Sequence, residues 1–222
     1  MKIAIVAAMD KEMRLLVPLL EDEARVTVNG TVFHTGRIGR HEAVISKCGI
    51  GKVNAAVATL SLIDTFHPDL VVNSGVAGGT GAAGILDVVV ADEIAYHDVW
   101  CGPGTVPGQA AGFPARFLCE LAAKVREQVP GAKGGLIASG DVFVSDPAVT
   151  ARILELYPDA VAVDMESAAI AQVCALKNVP FLCIRVISDT PGAADNIAQY
   201  ENFWEDAPAH TFAAVHALLK AL

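Results

Sequence analysis

Short runs of uninterrupted apolar residues alternate along this chain with stretches in which apolar positions recur at offsets of three and four. That alternation predicts strands and helices in succession, an α/β protein. Lys2–Met9 reads as a buried strand and Asp10–Leu20 as an amphipathic helix with Met13, Leu16 and Leu20 on one side. Val26–Val28, Val32–Thr35 and Glu42–Ser46 read as short β segments, with Asn29-Gly30 a hairpin turn between the first two. Lys52–Phe66 is a helix whose expected core stripe is Val53, Val57, Leu60 and Ile63. Leu70–Asn73 is a central strand, and Val88–Ile94 another that continues toward His97. Val99–Phe113, rich in Gly and Pro, is an irregular insert too long for a turn. Beyond it come a helix over Pro114–Val129, a strand over Gly135–Val144 and a short helix over Pro147–Leu156. A polar loop, Thr190–Gln199, leads to a terminal helix carried by Tyr200–Leu222.

The chain is organised around Val161–Asp189. A strand at Val161–Val163 turns acidic at Asp164-Met165-Glu166, enters a helix with Ile170, Val173 and Cys174 on one face, and stops at Asn178 and Pro180. Phe181–Ile187 is a second interior strand, giving a βαβ unit. Arg185 stands inside that strand, and a guanidinium cannot be buried without an anion beside it. Glu166 is the expected partner. Asp189 follows at the carboxyl end of its strand, where open α/β sheets bind ligands. A register-fixing ion pair is the alternative reading of this cluster.

The 222 residues suit one large domain, 1–222, with no repeat or low-complexity tract. Hydrophobic content of 53% against 18% charged residues supplies a large core and excludes disorder. A net charge of −9 with no basic cluster argues against nucleic acid or an anionic membrane as partner. Five cysteines, Cys48, Cys101, Cys119, Cys174 and Cys183, contain no CxxC pair and suit a reducing cytoplasm. The start, MKIAIVAAMDKEM, lacks a cleavage pattern and reads as a first strand, not a leader.

Two glycine motifs invite over-reading. Gly79–Gly84 spells GxGxxG, but β-type residues follow where a dinucleotide fingerprint needs a helix. Gly49-Ile50-Gly51-Lys52 lacks the hydroxyl and upstream glycine of a P-loop and reads as a turn into the next helix. Asn73–Gly79, at the end of the Leu70–Asn73 strand, is better suited to close approach of a ligand. There is no GxSxG elbow, and the six histidines are scattered, which argues against metal catalysis. His97-Asp98 reads as a satisfied surface pair beside the insert. Glu12, just after the first strand, is either a helix-end acid or a general base at the same sheet edge.

KIAIVAAMDKE, CGIGKVNAA, NSGVAGG, ASGDVFV, AVDMESAAIAQVC and RVISD, in that order, span essentially the whole chain. Together they resemble the nucleoside phosphorylase/hydrolase superfamily, and within it the methylthioadenosine/S-adenosylhomocysteine nucleosidases. The resemblance implies a single-domain three-layer α/β/α sandwich with a central mixed sheet, nucleoside phosphorylase-like, and a homodimer whose second subunit helps close the pocket. It implies hydrolysis of the N-ribosidic bond of 5′-methylthioadenosine and S-adenosylhomocysteine to release adenine, with no metal or organic cofactor. Asp189 would protonate adenine N7, and Glu12 would activate the water. Glu166, with the Met165 backbone, would hold the ribose hydroxyls, and Arg185 would orient Glu166 and the water. Phe143 would stack on adenine and Val144 would bond its edge, while Met9, Ile50 and Tyr200 would enclose the 5′-alkylthio group. Val76, Ala77, Gly78 and Ser188 complete the implied substrate-binding set. Relatives often carry Ser at 76, Glu at 164 and Phe at 200, and the Asp98–Gly112 loop is short here.

Three alternatives stay open on the sequence. A phosphorylase would need arginines in the pocket; Arg14, Arg37 and Arg40 exist, but Glu12 would repel phosphate. A nucleosidase for another 5′-modified nucleoside, such as futalosine or 5′-deoxyadenosine, would follow from the altered loop. A nucleoside-binding sensor without catalysis is the third, opposed by retention of all four charged residues.

Overall fold

The structure, a computed structural model, describes residues 1–206 and Leu219. Strand β1 (Lys2–Ala7) is followed by helix α1 (Asp10–Leu16), which tightens at Pro18 into a single 3₁₀ turn. Strands β2 (Glu21–Val28), β3 (Thr31–Ile38) and β4 (His41–Lys47) form an antiparallel meander, longer than the apolar runs suggested. Asn29 and Gly30 both have positive φ, 50° and 80°, as the primed hairpin turn requires.

Helix α2 (Lys52–Phe66) has the expected bounds and ends at His67 in the left-handed region, one residue before Pro68. Its orientation corrects the expected stripe. Val53, Val57 and Leu60 are 74%, 65% and 39% exposed, and only Ile63 of that set is buried. The inner face is Ala55, Ala58, Thr59, Leu62 and Ile63. Small residues there let the helix approach its neighbours closely, so the larger aliphatics face outward.

Strand β5 (Leu70–Gly79) runs ten residues, so the glycine-rich Asn73–Gly79 is the second half of a strand and not a loop after one. The expected strand over Val88–Ile94 is two strands, β6 (Val88–Val90) and β7 (Glu93–Tyr96). The insert at Val99–Phe113 has no helix or strand, as expected. The helix expected over Pro114–Val129 is a correction: β8 (Phe117–Leu118) pairs with β7, and only α3 (Ala122–Arg126) is helical. Strand β9 (Leu136–Ser139) ends before Gly140-Asp141. Helix α4 (Pro147–Leu156) matches its expected bounds because Asp146 caps Ala148 N–H at 2.8 Å and Pro147 fits the first turn.

Strand β10 (Ala160–Asp164), helix α5 (Ser167–Lys177) and strand β11 (Phe181–Asp189) form the expected strand–helix–strand unit, with Asn178 in the left-handed region closing the helix. The two strands are not neighbours, however. β11 runs parallel along one edge of β5 from Val71 to Gly78. The other edge of β5 is shared end to end, with β1 parallel at Leu70–Asn73 and β10 antiparallel at Gly78–Gly79. Ser74–Ala77 therefore has no strand partner on that side among the described residues, and the sheet splits there. Helix α6 (Asn196–Asp206) starts four residues before the expected terminal helix, whose continuation toward Leu222 lies outside the described residues.

The sheet is mixed, in the order β2-β3-β4-β1-β5-β10-β9-β7-β8, with β11 joining β5 to β6. The α/β class and central mixed sheet are as expected. Phe33, Ile3, Ile5, Ile45, Leu62 and Leu70 are among the fully buried side chains of the core. No helix of the described residues is long and apolar enough to cross a membrane.

Candidate active site

A cleft opens where the sheet splits, and the first carboxylate in it is Glu12. At the third position of α1, its Oε2 accepts the N–H groups of Ala8 (2.8 Å) and Met9 (2.9 Å), and its Oε1 accepts Val76 N–H at 3.1 Å. It is thus both a helix-end acid and a cleft residue. The unpaired edge of β5 supplies the Val76 donor. Burial raises the Glu12 pKa, opposed by the Arg185 charge and the three backbone donors. Gly75 makes room for it: a Cβ there would lie 2.4 Å from Glu12 Oε1.

Arg185 is buried in β11 beneath this floor, and its partner corrects the expectation. Its Nε and Nη2 donate to Asp164 Oδ2 at 3.0 and 2.5 Å, and Nη2 also donates to Asn73 Oδ1. Asp164 ends β10 and points inward, whereas Glu166 lies two residues on, past the strand, facing the cleft. The arginine acts on Glu166 and Glu12 through space. Asp164 and Asn73 were missed as members of this network; a polar residue within each apolar run was the available signal.

Glu166, at the N-terminal boundary of α5, accepts the Gly51 N–H at 2.9 Å. The Gly49–Lys52 turn therefore does more than connect, since its backbone anchors a carboxylate. Burial first, and the like charge of Asp164 second, push the Glu166 pKa up to about 7. Asp189 closes β11 after a register shift between Ile187 and Asp189 that re-aims its side chain. Ser188 Oγ donates to its Oδ1 and Asn196 Nδ2 to its Oδ2, both at 2.5 Å. Burial raises its pKa against those two donors. Asn196 was not anticipated, because it sits in a polar loop pattern with nothing to mark it.

The remaining expected residues also reach the cleft. Met9, Phe143 and Tyr200 meet there, with Tyr200 OH 3.3 Å from Met9 Sδ and the Phe143 and Tyr200 rings 5.5 Å apart, edge to face, and Ile50 also lines the cleft. Val76, Ala77, Gly78, Val144, Met165 and Ser188 line its walls. Pro191, also missed, packs over Gly78, where a Cβ would lie 2.4 Å from its ring.

Among the described residues the cleft is lined by three carboxylates that face it, Glu12, Glu166 and Asp189, by Asp164, whose own carboxylate turns inward to Arg185, and by no lysine or arginine. Arg14 and Arg40 do not line it, and Arg37 pairs with Glu21 and Asp22 on the meander. His97-Asp98 is not the pair expected: Asp98 bonds Lys52 Nζ at 2.7 Å, and His97 Nε2 has no partner among the described residues. Residues 79–84 lead into β6, not into a helix. No cluster of metal-ligand type occurs among the described residues.

Comparison with known proteins places the whole chain in a family. Residues 2–220 match the phosphorylase superfamily model. The 5′-methylthioadenosine/S-adenosylhomocysteine nucleosidase of Geobacillus thermodenitrificans is 41% identical over 228 aligned positions, covering 99% of this chain and 96% of that one. The Streptococcus pneumoniae nucleosidase, solved with the transition-state inhibitor MT-ImmA, superposes with a TM-score of 0.93 at 37% identity, covering 100% and 99% of the two chains. Its complex with 8-aminoadenine gives a TM-score of 0.94 at 37% identity over the full length of both. On both counts the chain belongs to the phosphorylase superfamily and, within it, to the 5′-methylthioadenosine/S-adenosylhomocysteine nucleosidases.

Proposed function

We propose that this chain hydrolyses the N-ribosidic bond of 5′-methylthioadenosine and S-adenosylhomocysteine, releasing adenine. The observation that carries this is a cleft lined by carboxylates and by no cation among the described residues, next to an apolar end suited to an alkylthio group. A phosphate nucleophile would be repelled there; a water would not.

In this reading Asp189, held toward its protonated form by burial, gives its proton to adenine N7, so that a neutral base leaves. Glu12 takes the proton of the attacking water. Its three backbone donors and the Arg185 charge favour the ionised form that a base needs. Glu166 accepts from the ribose hydroxyls, and its charge, with that of Glu12, faces the positive sugar of an oxocarbenium-like transition state. That is electrostatic preorganisation by fixed groups. Arg185 serves by holding Asp164 and by drawing Glu12 and Glu166 toward their ionised forms. Phe143 stacks on adenine, the Val144 backbone bonds its edge, and Met9, Ile50 and Tyr200 enclose the 5′ group.

The test is adenine release from 5′-methylthioadenosine with and without inorganic phosphate. Release indifferent to phosphate and yielding free 5-methylthioribose is expected. A requirement for phosphate would overturn the water assignment, and faster turnover of futalosine or 5′-deoxyadenosine would move the 5′ preference. Adenosine-analogue binding with no adenine release would identify a sensor.

The same reading makes residues 1–222 one nucleosidase domain working as a homodimer. The outward Val53, Val57 and Leu60 of α2 and Leu176 of α5 support that, as does the exposed Trp100 of the insert. A face this apolar is more usual at an interface than in water. Five free cysteines fit a cytoplasmic location.

A further inference from the structure

One unpaired polar atom among the described residues belongs to a residue hydrogen-bonded to Asp189, Asn196. This residue opens α6 and is only 2% exposed. Its Nδ2 faces Asp189 Oδ2 at 2.5 Å, while its Oδ1 has no hydrogen-bond partner among the described residues. A buried amide oxygen left unpaired calls for a reason. The other oxygen of Asp189 meets Ser188 Oγ, and that hydroxyl has a second acceptor in the Ala77 carbonyl at 3.3 Å.

A carboxylate only accepts hydrogen bonds, whereas a carboxylic acid must also donate one. A partner that serves both states has to offer a donor and an acceptor at nearly the same point. Ser188 can do so by turning its hydrogen from Asp189 to Ala77. An asparagine can do so by a half-turn of its amide, because the two ends are equal in size. Either orientation of the amide puts a partner within hydrogen-bond reach of Asp189 Oδ2, Nδ2 for the carboxylate and Oδ1 for the acid.

We propose that Asn196 is a positioning residue for the acid step, turning its amide so that Oδ1 accepts from protonated Asp189 and Nδ2 donates to the ionised form. The inference rests on the reading of Asp189 as the general acid. When the proton passes to adenine N7, the Asp189 O–H bond breaks, an N–H bond forms on the base, and the amide turns to donate to the new carboxylate. The segment between the two residues is tied down for this. Thr190 N–H donates to Gln199 Oε1 at 2.8 Å, and Thr150 Oγ1 to Pro191 O at 3.3 Å.

The test compares Asn196→Leu, Asn196→Asp and Asp189→Asn on two substrates, 5′-methylthioadenosine and the 4-nitrophenyl 5-methylthioriboside. The nitrophenolate leaves without needing a proton. Asn196→Leu should lose about 100-fold in kcat on the nucleoside, a typical share for acid catalysis, while the riboside falls less than about threefold. KM should stay within about threefold on both. Asn196→Asp keeps an acceptor oxygen, and two facing carboxyls share one proton, so its nucleoside turnover should stay within about tenfold of wild type. Equal losses on both substrates, or no loss, would overturn the proposal. If Asn196→Leu does not fold, a nucleoside-selective loss in Asn196→Asp as deep as that of Asp189→Asn would overturn it. Asp189→Asn retaining nucleoside turnover would instead refute the acid assignment itself. Selective loss in Asp189→Asn but not in Asn196→Leu would remove only the role of Asn196.

Discussion

Glu166 should make this protein less stable as the solution becomes more alkaline, and the size of the effect follows from its surroundings. Its carboxyl is buried beside Asp164, which moves its pKa from the ordinary 4.5 to about 7. The native state then binds more protons than the unfolded chain between those two values. Stability from this group is full below about pH 4.5 and is lost as pH rises to about 7. At about 1.4 kcal/mol per pH unit the complete loss is about 3 kcal/mol, most of it between pH 5 and pH 8. Glu166→Gln keeps the size and the acceptor for Gly51 N–H but cannot ionise. Urea denaturation of both proteins at pH 5 and pH 8, at one protein concentration, reads the difference. The variant should gain about 2–3 kcal/mol on wild type between the two conditions, while losing turnover at both. Glu12 and Asp189 shift in the same direction but are present in both proteins and cancel. A stability difference that does not change with pH would refute the reasoning.

Three further outcomes are expected. Asp164→Ala leaves Arg185 as an uncompensated buried charge and should cost about 3–5 kcal/mol in denaturation. Asp164→Leu combined with Arg185→Met should recover most of that without restoring turnover. Gly75→Ala places a methyl 2.4 Å from Glu12 Oε1; moving the base by about 1 Å should cut kcat roughly 100-fold, whereas a fall below twofold would show that the base has slack. Val57→Glu puts a charge on the outward face of α2 and should leave a monomer in light scattering, whereas an unchanged dimer would mean that the two copies meet elsewhere.

Much of the fold could be read from local punctuation. The Asp146-Pro147 cap and the His67-Pro68 stop fixed α4 and α2, because those signals act within a turn of the helix. What could not be read was direction. Apolar spacing identified α2 as a helix but chose the wrong inward face, since alanines close to the sheet are as apolar as the valines turned to solvent. The helix expected over Pro114–Val129 failed because pairing of β8 with β7 prevailed over local helix pattern there. Glu12, Glu166 and Asp189 were legible as charges at strand ends, and the structure gathers all three in one cleft. Their partners were not: Asp164 is two residues from the expected Glu166, and which of them meets Arg185 depends on β5 lying between β10 and β11. Asn196 reaches Asp189 through the path of a loop, which leaves no periodic trace.

The way Glu12 is held has a consequence for how this cleft can diverge. All three of its donors are main-chain N–H groups, from Ala8, Met9 and Val76. All three of those residues also line the cleft, Met9 and Val76 with the larger side chains. Exchanging a thioether or an isopropyl for another side chain changes what the wall recognises and leaves the amide that grips the base where it was. On the proposed assignment of Glu12 as the base, specificity and nucleophile activation fall to the same residues in separate chemical layers, so the first can drift, or be engineered, without erasing the second.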